Sequence, residues 1–207
     1  MSDYKIQLLQ ARDYKTTEWS GGTTTELSIA PEDSIYADRD FEWRLSSATV
    51  DVEESEFTAL PDYNRVIMTL KGGIRLSHNK GEWLELPEFT PHYFDGGDST
   101  VSVGKVIDFN LMLRKGVCTG EVVPYLMKAE ENQTISEDLS EPIETYKVVM
   151  VYCYAGALTI SLEDGSNYEL SRGDAMKLTG IFTDAVWSCT AKDNVSAVVA
   201  AVRYETI

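Results

Sequence analysis

The stretch VIMTLKGGIRLSHNKGEWLEL, Val66 to Leu86, decides the fold class. A run of apolar and β-branched residues meets a glycine, and an alternating strand follows. A polar turn with a second glycine comes next, then a short strand ending in Glu-Leu. Period-two runs bounded by Gly, Asn and Asp read as β-strands rather than helices. The same pattern returns in VVMVYCYAGALTISLEDGSNYEL, Val148 to Leu170. Gly73 and Gly81 are eight residues apart, Gly156 and Gly165 nine. The recurrence points to a duplicated β unit. Short strands with turn punctuation fill the rest, and no amphipathic helix longer than about three turns stands out. The chain is therefore expected to be all-β, a sandwich or barrel with few short helices.

A duplication implies two halves. Residues 1–128 and 146–207 are the expected domains. Between them lies AEENQTISEDLSEPIET, residues 129–145, which carries only acidic charge from Glu130 to Glu144 and reads as an exposed connector. Inner-face candidates after residue 145 are mostly apolar, so the second half is expected to be structural.

Composition narrows the function. The 207 residues hold 18 Lys and Arg against 34 Asp and Glu, a formal net charge of −16. Such a surface repels phosphate backbones and anionic membranes, which argues against nucleic-acid and membrane binding. The N-terminal MSDYKIQLLQARDYK has no apolar signal core, and a cytoplasmic location is expected. Cys118, Cys153 and Cys189 are widely spaced, form no CxxC, and are expected to pack as small hydrophobes. The two histidines, His78 and His92, are 14 residues apart, and no HxH or HExxH occurs. Neither a metal nor a cofactor is expected.

What remains is a set of polar residues inside apolar strands. In FEWRLSSATV, residues 41–50, side chains alternate: Phe41, Trp43 and Leu45 share one face, Arg44, Ser46 and Ala48 the other. An arginine midway along so apolar a strand is costly to bury unpaired. It meets a carboxylate of the protein or faces a cavity that admits an anion, and its planar fork suits a carboxylate bidentately. In VSVGKVIDFNLML, residues 101–113, Ser102, Gly104, Asp108, Asn110 and Met112 share one face, as the lumen of a small barrel would require. Asp108 is a candidate partner for Arg44 or Arg65. In WSGGTTTELSIAP, residues 19–31, Gly21 and Gly22 allow a sharp turn. Thr24, Glu26 and Ser28 share a face of the strand that follows, and Trp19 is placed to cap a pocket. In FTPHYFDGGDST, residues 89–100, His92 is a candidate proton donor and Phe94 a candidate wall. His78 falls at a hairpin turn and is expected in solvent.

Taken in order, WSGGTTTEL, FEWRLSSATV, FTALP followed by Arg65, FDGGD and DFNLM resemble the HutD/Ves family. The resemblance covers residues 15–114 strongly and the C-terminal half more loosely. The tryptophan segment departs from the family's commoner Trp-x-Asn-Gly-Gly-Gly form: it lacks the Asn and is shorter. The resemblance implies a cupin-like fold of two β-barrel halves in one chain, a bicupin, on a metal-free branch. It also implies a role beside histidine utilisation, through binding a metabolite such as urocanate or formylglutamate, or, in Ves members, beside stress response.

The leading expectation is a non-enzymatic cupin that binds a small carboxylate-bearing metabolite. Arg44 clamps the carboxylate and Arg65 adds a second cation. Asn110, Thr24 and Ser46 hydrogen-bond the ligand, Asp108 and Glu26 orient the arginines, and Trp19 and Phe94 form apolar walls. A metal-independent isomerase, lyase or hydrolase using His92, Glu26 or Asp108 as general acid or base is the alternative. A protein-interaction module is a third reading. Homodimer formation stays open under all three.

Overall fold

The computed structural model describes residues 3–183 and 185–205. The chain divides into two compact units, one of Tyr14–Cys118 and one of the residues up to Asp13 together with those from Thr119 onward.

In the unit of residues 14–118 the period-two stretches become two antiparallel sheets. The larger runs, in spatial order, Lys15–Trp19, Gly22–Ala30, Trp43–Val50, Val106–Arg114, Tyr63–Lys71 and His92–Asp95. The smaller runs Glu54–Glu56, Thr100–Val103, Ile74–His78 and Trp83–Leu86. Val50, Ile67 and Val106 of the larger sheet and Ile74, Leu76 and Leu86 of the smaller one bury their side chains in one cluster, which holds the two sheets face to face. Burial of each such side chain stabilises the unit by about 1.5–3 kcal/mol. A second cluster of Ile29, Phe41, Leu60, Tyr63 and Met112 closes the other end. There the Phe41 and Tyr63 rings stack with centroids 4.4 Å apart, and the Tyr63 hydroxyl donates to the Phe41 carbonyl at 2.8 Å.

The other unit has a five-stranded sheet ordered Asp3–Leu9, Ala175–Ile181, Val148–Ala155, Val195–Tyr204 and Cys118–Met127. Its four-stranded sheet runs Asn132–Thr134, Ser188–Ala191, Ala157–Ser161 and Asn167–Ser171. Its core is apolar, built from residues such as Val149, Val151, Leu158, Leu178, Trp187 and Val199. Cys118, Cys153 and Cys189 are buried and form no disulfide with one another. Among the described residues no helix is long and apolar enough to cross a membrane.

Three expectations change. The division does not fall at residue 128, because Asp3–Leu9 pairs along its whole length with Ala175–Ile181 and so belongs with the C-terminal residues. The acidic 129–145 segment is not an exposed connector. Asn132–Thr134 pairs with Ser188–Ala191, and Ile135, Leu139 and Ile143 are buried in the core of that unit. Residues 101–113 are not one strand: Gly104, at φ 128°, turns the chain from the smaller sheet into the larger.

Candidate functional site

Register places the candidate residues on one face of the six-stranded sheet. Ile29, Arg44, Met112, Arg65 and Phe94 form one cross-strand row. Glu26, Ser46, Asn110, Ile67 and His92 form the next. Thr24, Ala48, Asp108 and Thr69 form the third. Trp19, Gly22, Val50 and Val106 follow. Each row is a direct product of strand alternation, since residues two apart share a face. A β-bulge between Glu26 and Ser28 moves Ser28 out of the row pattern and puts Ile29 beside Arg44 instead.

The middle of this face lines a cavity of about 300 Å³. Arg44, Ser46, Arg65, Asp108, Asn110 and Thr24 all reach it, with Trp19, Val50 and Met112 as apolar wall. Trp19 stays 40% exposed at the rim. Residues between the strands complete it: Tyr36 from the loop after Gly22–Ala30, and Ser55, Glu56, Phe57 and Thr58 from the segment after Trp43–Val50. Of these five, none is read as a cavity residue from alternation: Phe57 and Thr58 enter only as part of the FTALP motif, and Ser55 and Glu56 lie on a strand of three residues, too short to show a period.

Arg44 is 5% exposed. Its Nε donates to Glu26 Oε2 at 2.7 Å and its Nη1 to Ser46 Oγ at 3.1 Å. The Tyr36 ring covers the guanidinium face, centroid 4.2 Å away. Arg44 is thus paired with a carboxylate of the protein and also lines the cavity. Glu26 itself borders an adjoining cavity of about 210 Å³ that also reaches Arg44, Tyr36, Thr17 and Thr24.

Arg65 is held differently. It lies against the Phe57 and Phe94 rings, 5.0 and 5.2 Å from their centroids, and its Nη1 reaches the Thr58 carbonyl at 3.4 Å. Its Nε has no hydrogen-bond partner. Burial pushes its pKa down to about 10, opposed by Tyr36 and Asp108, so it stays charged at neutral pH. Asp108 Oδ1 accepts from the Ala48 amide at 3.0 Å. Burial pushes this carboxyl up to about 6 against the pull of the Ala48 amide, Arg65 and Arg44. Asn110 is 5% exposed, and its Oδ1 has no partner. Buried polar atoms are normally satisfied, so two orphans on one cavity wall are unusual.

Two candidates, Phe94 and His92, line neither cavity. Phe94 sits behind Arg65, and Ile67 separates His92 from Asn110 in their row. His92 instead meets His78, Nε2 to Nε2, at 2.9 Å. His78 is not in solvent, because it is half-buried, and its Nδ1 also bonds Thr100 Oγ1 at 2.8 Å. Among the described residues no group of three or more His, Cys, Asp or Glu is disposed to hold a metal ion.

The comparisons agree with this architecture. A conserved protein of unknown function from Pseudomonas aeruginosa PAO1 superposes with a TM-score of 0.81 at 23% identity, over 96% of this chain and 99% of that one. HutD from Pseudomonas fluorescens SBW25, in a formate condition, gives 0.74 at 22% identity, over 98% and 100%. YhhW from Escherichia coli, a bacterial pirin, gives 0.65 at 9% identity, over 95% and 97%. The fold is thus cupin-like and all-β. No curated protein sequence matches the chain. The HutD family model matches residues 11–197, nearly the whole length. The chain belongs to the HutD family.

Proposed function

We propose that the cavity of residues 14–118 binds a small carboxylate without turning it over. The carrying observation is that two buried guanidiniums and the unpartnered Asn110 carbonyl line one space of about 300 Å³. A carboxylate placed there gains charge-assisted hydrogen bonds in surroundings of low dielectric, while the Asn110 oxygen takes a donor from the same ligand. Tyr36, Phe57 and Met112 supply the apolar contact that small-ligand sites need. Membership of the HutD family supports a metabolite of histidine breakdown, urocanate or formylglutamate, and a role in moderating that flux. Three cysteines outside any disulfide fit a reducing, cytoplasmic setting.

Calorimetric titration of urocanate, formylglutamate and formate tests the reading. Arg44→Ala and Arg65→Ala should each weaken binding about 10- to 100-fold, the worth of one charge-assisted contact. No heat from the native protein with any small carboxylate would remove it.

One observation favours a second reading. Asp108, at about 6 and flanked by two cations, exchanges its proton near neutrality, as a general acid or base must. Turnover of a carboxylate substrate that disappears in Asp108→Asn is the result this reading requires.

A further inference from the structure

We propose that the His78–His92 hydrogen bond is a one-proton latch between the two sheets of residues 14–118, and that its opening on acidification unseats Arg65. His78 ends a strand of the four-stranded sheet, and His92 opens a strand of the six-stranded one. Their Nε2 atoms are 2.9 Å apart and their ring centroids 5.1 Å apart, so the imidazoles meet end to end across the gap between the sheets. An N–H···N bond of this kind needs one nitrogen with a proton and one without. It survives the first protonation of the pair, which leaves one N–H pointing at one lone pair. The second protonation sets N–H against N–H and charge against charge, and the bond cannot persist.

The surroundings do not rescue the doubly charged state. Thr100 contacts His78 through its hydroxyl, which also donates to the Asp98 carbonyl at 3.3 Å. The Phe94 ring packs on both imidazoles, at 4.9 and 5.8 Å between centroids. On the strand beside His92 the partner residue is Ile67, and Arg65, a cation, lies beyond Phe94. The nearby carboxylates are engaged elsewhere: Asp98 Oδ1 accepts from Asn79 at 2.6 Å, and Asp95 is held by Lys115 at 2.7 Å. Consistently, burial and the neighbouring His78 lower the pKa of His92. Phe94 transmits the event, because it is the cross-strand partner of Arg65 and covers one side of that guanidinium. When the imidazoles part, Phe94 loses its seat, and Arg65 loses an aromatic face.

The chain has only two histidines, so imidazole ¹⁵N spectra resolve the pair directly. The titration runs on ligand-free Asp108→Asn protein, between about pH 8 and about pH 5, so that the cavity carboxyl pushed up to about 6 is not read in place of the imidazoles. The two imidazoles should titrate in separate steps, the second at least about one pH unit below the first. The Arg65 Nε–Hε resonance should move with the second step. In His78→Gln, or reciprocally His92→Gln, the remaining histidine should titrate at least about half a unit higher than the second step of the pair. Two independent titrations at ordinary values, or an Arg65 signal indifferent to the second step, would overturn the latch. Because no ligand is present, the result stands apart from whether the cavity binds a carboxylate.

Discussion

Arg44 and Arg65 stand in one cross-strand row with Met112 between them, so two guanidiniums share one buried wall. Of the two, Arg44 has a carboxylate at hydrogen-bond distance, Glu26 at 2.7 Å. Breaking a largely buried pair leaves a charge uncompensated. Glu26→Gln should therefore destabilise the protein by about 1–3 kcal/mol, since the Glu26 side chain keeps some exposure and water screens part of the loss. Sodium formate should restore more of the melting temperature of this variant than of the native protein, with sodium chloride at equal ionic strength as control. Equal recovery in both salts would mean that Arg44 is closed to anions.

Asp108 makes the native state sensitive to pH in the opposite sense to a surface carboxylate. Its folded pKa of about 6 lies above the ordinary value of 3.8, so the folded state holds the proton more tightly than the unfolded chain does. This contribution to stability is complete below about pH 4 and is lost as pH rises through about 6. Asp108→Asn removes the loss. At pH near 7.5 it should raise stability by on the order of 2 kcal/mol, and the gain should shrink towards zero near pH 4. Chemical denaturation at the two pH values measures it, and a pH-independent difference would contradict the burial argument.

Much of the site was legible because it lies on strands. Alternation alone put Arg44 with Ser46 and Asp108 with Asn110, and the register kept each pair on the cavity face. What alternation cannot supply is the partner strand. Asp3–Leu9 reads as a strand from its own residues, yet nothing in it names Ala175–Ile181 as its neighbour. His78 and His92 met for the same reason without warning, since they lie in different sheets. Tyr36 escaped because loop side chains follow no period, and Phe57 was seen only as part of the FTALP motif, with no sign of where its ring points. The acidic segment did carry a usable signal. Ile135, Leu139 and Ile143 recur every four residues, and all three are buried, but the density of Glu and Asp around them masked the spacing.

Asn110 separates binding from stability. Its Oδ1 is buried without a partner, and a buried unsatisfied group costs about 1–3 kcal/mol. Asn110→Leu keeps the volume and discards the orphan. The variant should melt at the native temperature or a few degrees higher, while carboxylate affinity falls at least about tenfold. A large drop in melting temperature would show instead that the amide is a structural group of the sheet.

The turn at Gly22 is the point where backbone alone decides. Its φ is 149°, and a Cβ there would lie 1.9 Å from the Thr49 carbonyl oxygen. That oxygen belongs to a strand interior, so it cannot step aside as the end of a flexible side chain would. The Asp51 amide adds a bond to the Gly21 carbonyl at 2.8 Å, which pins the same crossing. Gly22→Ala should therefore cost at least about 2 kcal/mol, lowering the melting temperature by roughly 4–8 °C. Gly116 provides the comparison. It also has positive φ, 71°, but a Cβ there would meet nothing within 4 Å beyond its chain neighbours. Gly116→Ala carries only the conformational strain, so its melting temperature should fall by clearly less. Equal losses at the two positions would mean that φ, and not the approach of Thr49, sets the requirement for glycine at residue 22.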